Sequence, residues 1–349
     1  MEACMKRMNL FLVILAAMLP GGFALAGDSP DLSTEGPVPW SSTYQVYRGG
    51  GVWLGGPPDA AALAHAKAKG VTTVVDLRGP EEGTAATAEL VAAAGLTHHA
   101  VPFPKGAPLD AAAVQRVAAL VAAAPPGTVL VHCASGQRAA AWWAADLVAE
   151  HGVPVDTALA AARAAGLTKE DTAEAVRAFA RATEARRVAD DAANQLAATL
   201  KTRLEAAIAD GGFTAGAKVC AEAAMSITAA VGAASGASVR RTALRVRNPD
   251  NRPDAFEKEW LDAQQARVAA GQAAEPRYDV VEAADGAKEL RHLRPILFPG
   301  GVCVQCHGSP AEIPDEVAAF LRERYPEDVA TGFAAGDLRG AISVRVPLK

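Results

Sequence analysis

The segment GVCVQCHG, Gly301 to Gly308, places Cys303, Cys306 and His307 within five consecutive positions. Two thiols at this spacing reach the two vinyl groups of a porphyrin while the next histidine turns back onto the iron, the pattern of covalently attached haem c. Zinc competes for such a pair, but a closed zinc site wants four ligands, and the sequence has no second close Cys/His pair. A thioredoxin-like redox pair also uses Cys-x-x-Cys, although PILFPGG ahead of it does not look like the strand that such a motif follows. One haem, attached through Cys303 and Cys306 with His307 on the iron, is the expectation.

His307 supplies one axial bond. For the other, Cys220 is the leading candidate, with Met225 and His292 as rivals. Cys220 lies on a predicted helix, on one face with Ala224, Ile227 and Val231. A small buried core cysteine explains that face equally well. The arginines Arg240, Arg241, Arg245 and Arg247 either pair with haem propionates or form a solvated strand face.

A second reactive pattern is TVLVHCASGQRAAAWWAADLVAE, where a β-rich run meets a glycine-containing turn and then a helix. That geometry aims successive backbone N–H groups and a helix N-terminus at one spot, an anion cradle that also lowers a thiol pKa. Cys133 is then the nucleophile, Arg138 the guanidinium that grips an oxyanion, and His132 the group that orients or polarises the thiol. An inert cysteine at a strand end is the alternative.

These sites need scaffolds, and 349 residues with 50% hydrophobic content suffice for two domains. A net charge of −5 shows no basic excess for nucleic acid or anionic lipid. Lys6 and Arg7, the apolar run Leu10 to Leu19 and the small-x-small site Ala24-Leu25-Ala26 predict a signal peptide over residues 1–26 and a periplasmic protein. The apolar run is too short to span a bilayer, so no stable membrane anchor is expected after cleavage.

From Tyr44 to Leu167 short β-rich runs, VTTVVDL and TVLVHC among them, alternate with helices, which predicts an α/β sandwich. Asp59, Asp110 and Thr168 are candidate helix caps, and Gly70 and Gly152 candidate stops. No Gly or Pro interrupts the chain between Gly166 and Gly211, so one long helix can run there, with Leu196, Leu200, Leu204 and Ile208 as an apolar stripe. The domain boundary is placed near residue 184, inside it. GAISVRVP, Gly340 to Pro347, alternates like a half-buried closing strand.

Residues 190–348 resemble the PAS-like, single-haem c-type cytochrome domain long catalogued as a domain of unknown function. KVCAEAA, RRTALRVRNPDNRPDAFE, VCVQCHG and YPEDVATGFAAGDLRGAISV carry the resemblance. It implies an α+β PAS-like domain over 184–349 and a haem ligated by His307 and Cys220. Thiolate stabilises ferric iron and lowers the potential. Such a haem suits low-potential electron transfer to a redox partner, or sensing of a small gas.

Residues 44–167 resemble the dual-specificity-phosphatase-like domain also known as beta-lactamase-hydrolase-like. YRGGGVWLGGPPDAAALAHAKAKGVTTVVDLRGPEE, HCASGQR and AARAAGL carry it. It implies a cysteine-phosphatase fold over 44–183, a parallel sheet of four or five strands flanked by helices. The family's active phosphatases space five residues between Cys and Arg. Here four intervene, Ala134 to Gln137, as in rhodanese-type sulfurtransferases, and Ala139 replaces the hydroxyl that usually follows the arginine. VPFPKGAPLD offers no clear general acid, Asp110 reading as a helix cap, and Asp76 and Glu81 are weak substitutes. Three roles stay open: phosphoester hydrolysis through Cys133, sulfur transfer through a Cys133 persulfide with haem as electron acceptor, or anion binding without turnover.

Overall fold

The computed structural model describes residues 30–282 and 286–348. The expected leader, 1–26, lies outside the described residues. The first unit is built on a six-stranded sheet of order β1-β2-β3-β6-β4-β5. Strands β1 (Thr34–Pro39), β2 (Gln45–Gly49) and β3 (Val52–Gly55) run antiparallel to one another. Beyond β3 the chain alternates: α1 (Ala60–Ala68), β4 (Thr73–Asp76), α2 (Thr84–Ala93), β5 (Thr97–Ala100), α3 (Ala111–Ala122) and β6 (Val129–His132). Strands β3, β6, β4 and β5 are parallel.

The all-parallel sheet of the sequence reading is therefore corrected to a mixed one. The cause is the Gly49-Gly50-Gly51 run, with Gly50 at φ 56°, which reverses the chain in two residues. So short a connection makes a hairpin, since a parallel crossover needs a dozen residues or more.

One face of this sheet packs α1 and α2 through Leu63, Ala66, Val74, Val91 and Leu130. The other carries α3, then α4 (Gln137–Ala149) and α5 (Val155–Ala164), around Val75, Leu77, Val131, Cys133 and Trp142. Asp59 and Asp110 cap α1 and α3 as expected, each accepting a backbone N–H with its carboxylate.

Helix α6 (Glu170–Lys218) joins the two units. Ala173, Val176 and Phe179 pack in the first core, whereas Ala185, Ala189, Ala192, Ala193 and Leu196 pack in a core of the second. Position 184 thus divides the packing while the backbone stays helical through it. The helix breaks at Gly211 and Gly212, whose dihedrals (−144°, 20° and 69°, −168°) are not helical. The chain then doubles back, so that a Cβ on Gly216 would stand 2.7 Å from Ile208 and 3.2 Å from Leu204. Glycine there lets the two arms meet, and gives the end of the leucine stripe its partner.

The return arm continues through a π-helical turn, Val219–Ala223, into α7 (Ala224–Ser235). The stretch Glu170–Ser235 holds a window apolar enough to cross a membrane by length and composition. In this fold α6 is bent at the glycine pair and packs on the second sheet.

That sheet is antiparallel, order β7-β10-β9-β8, from β7 (Ser238–Thr242), β8 (Arg277–Glu282), β9 (Lys288–Leu297) and β10 (Leu338–Pro347). Helix α6 covers the face bearing Leu290, Ile342 and Val344. Helix α8 (Ala255–Ala269), opened by an Asp254/Glu257 capping box, covers the face bearing Leu293 and Ala341. Ser343 is consequently buried too, and β10 is a central strand covered on both sides instead of half-buried. Two helices, α9 (Val304–His307) and α10 (Asp315–Arg324), fill the connection from β9 to β10.

Candidate functional site

Cys220 and His307, 87 positions apart by number, line one cleft of about 180 Å³ with Arg241, Arg247, Ile296, Tyr325 and Arg339. The π turn places Cys220 there: it inserts one residue into the helix and turns the thiol out of the α-helical register, a device recurrent at functional sites. Ala224 and Val231 are buried and Ile227 half-buried, whereas Cys220, on the π turn ahead of them, lines the cleft and departs from the expected shared face.

His307 is fixed from the other side. Its Nδ1 donates to the Ala330 carbonyl (2.6 Å), and Phe298 and Phe333 stand edge-on to its ring. That bond leaves the Nε2 lone pair for a metal. Burial, with Arg247 and Arg339 adding to it, holds the imidazole well below its usual pKa and so neutral. Arg247 ties the Cys-x-x-Cys-His turn to its neighbour segment, donating to Asp328 (2.7 Å) and to the Cys306 carbonyl. Burial raises both thiols of the turn, Cys306 to about 11.

The rival ligands stand elsewhere. His292 is stacked on Tyr278 (4.3 Å between centroids), with Nε2 3.6 Å from Asp190 of α6. Met225 is 44% exposed and does not line the cleft.

Of the four arginines singled out, Arg241 and Arg247 line the cleft. Arg240 instead bonds the Asp250 and Arg252 carbonyls and lies 3.4 Å from Glu257, and Arg245 stacks on Phe333 at 3.6 Å. Both are thereby removed from that set. Arg339, which the sequence reading missed, takes a place in the cleft, donating to the Arg245 carbonyl (3.3 Å). Burial lowers Arg339 to about 10 and also lowers Arg241; neither forms an ion pair among the described residues. Half-buried guanidinium groups that form no ion pair among the described residues, beside an imidazole and a thiol, fit a group that brings iron and carboxylates of its own. The residues present therefore fit haem.

The second site surrounds Cys133. Strand β6 ends at His132, and Gly136, whose φ of 81° favours glycine, leads into α4 beside the Gly55 backbone. A pocket of about 470 Å³ opens over the loop, lined by Glu82, Phe103, Lys105, Ser135, Arg138 and Lys169 among others. Arg138 does not stand free: Nη1 donates to Glu82 (2.8 Å) and the Phe103 carbonyl (2.8 Å), and Nη2 to the other Glu82 oxygen. The Arg138 bond holds Glu82 down at about 2.

His132 does not touch this pocket. Successive strand residues alternate faces, so Cys133 joins the core with Val131 while His132 enters the opposite face, Nε2 3.7 Å from Asp76. Direct polarisation of the thiol by His132 is corrected accordingly. Asp76 is on that far face too, bidentate to Arg78 (2.8 and 3.0 Å), and cannot serve the pocket as an acid. Glu81 is exposed and is not among the pocket residues.

Gln137 was passed over in the sequence as loop filler. Its Oε1 accepts from the N–H groups of Thr168 and Lys169 (2.9 Å each), and its Nε2 donates to the Gly166 carbonyl (2.8 Å). The cap position of α6 is held by Lys169, without a side-chain capping bond, where Thr168 was expected.

The chain is similar to the solved cyanobacterial heme-protein Tll0287, at 28% identity over 36% of this chain and 71% of that one, TM-score 0.30. It is also similar to a phosphatase structure from Neisseria meningitidis Z2491 (24%, covering 37% and 92%, TM-score 0.33) and to TpbA of P. aeruginosa (24%, covering 39% and 83%, TM-score 0.33). No curated protein matches. The Tll0287-like family model matches residues 160–347, taking in α6, Cys220, the Cys-x-x-Cys-His turn and the whole second sheet. That is more than half of the sequence, and the chain belongs to the Tll0287-like family.

Proposed function

We propose that this chain is an exported, periplasmic c-type haem protein, a redox or small-gas sensor whose haem domain, PAS-like in fold, governs the thiol site of a phosphatase-like domain. Cys303 and Cys306 would hold the porphyrin by thioether bonds, His307 and Cys220 would donate to the iron, and Arg241 and Arg339 would receive the propionates. The observation that carries this reading is the single cleft shared by Cys220, His307 and two arginines that form no ion pair among the described residues. When bound, the haem supplies a one-electron couple whose potential the thiolate keeps low. The protein's part is to aim Nε2 of His307 through Ala330 and to hold the attachment turn through Arg247 and Asp328.

Optical and paramagnetic resonance spectra of wild type beside Cys220→Ala test the reading. Haem that survives denaturation, with a low-spin thiolate signature lost in the variant, supports it. Protein matured in a competent host without bound porphyrin overturns it. Fractionation of the producing cells tests export.

For Cys133, the acids of the pocket favour sulfur transfer over phosphoester hydrolysis. Glu82 is ionised by Arg138, Asp110 caps α3, and the Asp171 carboxylate accepts from Thr172. None is poised to protonate an alkoxide leaving group. Thiosulfate needs no such proton: the Cys133 thiolate attacks the outer sulfur, the S–S bond breaks, and sulfite leaves with the electron pair. Intact mass after thiosulfate should rise by one sulfur atom, and not in Cys133→Ser. Cys133-dependent turnover of phosphate esters without that gain rejects sulfur transfer.

A further inference from the structure

Gln137 lies inside the Cys133–Arg138 loop, yet all three of its side-chain hydrogen bonds go to the segment that starts α6. The helix begins at Glu170, and Lys169 at the cap position before it makes no side-chain capping bond. The thiol loop thus clamps the two residues that lead into α6, Thr168 and Lys169. The joint is tight on its other side: Gly166 has φ 95°, and a Cβ there would meet the Tyr47 ring at 2.7 Å. Lys169, at the cap position, and Thr172, in the first turn of α6, line the pocket over the loop that follows Cys133.

From that joint α6 runs without a break for roughly 60 Å at 1.5 Å per residue. Its far half forms the core of the second unit, and after the glycine bend the return arm carries Cys220. A helix packed along its length moves as a body, so a change in how Cys220 is held has one covalent and well-packed route to the loop.

We infer that Gln137 is the positioning residue through which the bonding of Cys220 sets the reactivity of Cys133. This rests on the reading of Cys220 as the thiolate ligand. In holoprotein, a Cys220→Ala change reaches the loop as a displacement of the α6 N-terminus. Gln137 passes it to the Cys133 cradle; without its bonds the cradle and the helix part company.

The test is a cycle of four holoproteins: wild type, Cys220→Ala, Gln137→Met and the double variant. The rate of Cys133 alkylation by iodoacetamide is read on its own peptide by mass spectrometry. Cys220→Ala should change that rate about threefold or more beside Gln137, beyond the roughly twofold scatter of independent distant sites, and leave it unchanged beside Met. Gln137→Glu keeps the acceptor oxygen and should retain the Cys220 effect, which separates the clamp from a general loss of fold. An equal factor in both backgrounds, or none beside Gln137, overturns the inference. Optical spectra of the same proteins report separately on the ligand: unchanged bands in Cys220→Ala overturn the ligation itself, whereas altered bands with uncoupled alkylation overturn only the role of Gln137.

Discussion

The carboxylate of Glu82 grips the Arg138 guanidinium edge-on, occupying donors that an oxyanion above Cys133 would use. The pair is partly screened, with side chains 20% and 15% exposed, yet the acid is ionised across the whole working range. Glu82→Gln keeps the shape and removes the charge. It should tighten binding of sulfate or phosphate by about tenfold, because the anion no longer competes with an internal carboxylate. Calorimetric titration of both proteins checks this, and unchanged affinity would mean that Arg138 binds anions through donors that Glu82 does not hold.

The cleft arginines make a different prediction. A buried cation near iron favours the reduced state, so neutralising one lowers the potential. Arg339→Met should lower the haem midpoint by on the order of tens of millivolts in a spectroelectrochemical titration. The same change in Arg240, which faces Glu257 on the far side of β7, should leave the midpoint in place.

How far the sequence reached follows from how local each signal is. Cys303, Cys306 and His307 sit within one turn, and the strand-loop-helix around Cys133 is continuous in the chain, so both were legible. Glu82 and Arg138 are 56 positions apart. Gln137 and Lys169 are 32 apart. Arg339 meets its cleft from another strand. No periodicity reports such pairings. His132 is the exception, since the period of two along β6 already sets it opposite Cys133. The mixed sheet was equally within reach, had the glycine run before Val52 been taken as a hairpin.

Replacing Cys220 should raise the haem midpoint, because an anionic donor that favours ferric iron is lost. A rise of about 100 mV or more in Cys220→Ala, measured by potentiometry, is the expected outcome. Met225 is too exposed to take its place, so the variant should also bind carbon monoxide faster than wild type when reduced. A midpoint unmoved by the substitution would place the sixth donor elsewhere.

The buried His132 supplies a pH test with a definite sign. Burial lowers its pKa from 6.5 to about 4, and neither ring nitrogen has a hydrogen-bond partner among the described residues. A histidine that folds neutral contributes stability above pH 6.5 that is lost as pH falls towards 4, about 3 kcal/mol in full. Asp146 acts in the opposite sense. Burial raises its pKa to about 6, so its contribution is present below the unfolded value near 3.8 and is lost as pH rises through 6. The two slopes oppose each other across most of the window, and the wild-type curve alone therefore reveals neither. His132→Leu, similar in volume, removes one of them. Urea midpoints followed by tryptophan fluorescence, which mostly reports the first unit through Trp40, Trp53, Trp142 and Trp143, should show the variant gaining on wild type by about 3 kcal/mol between pH 6.5 and pH 4. If the difference between the two proteins stays constant with pH, His132 is not the group that titrates.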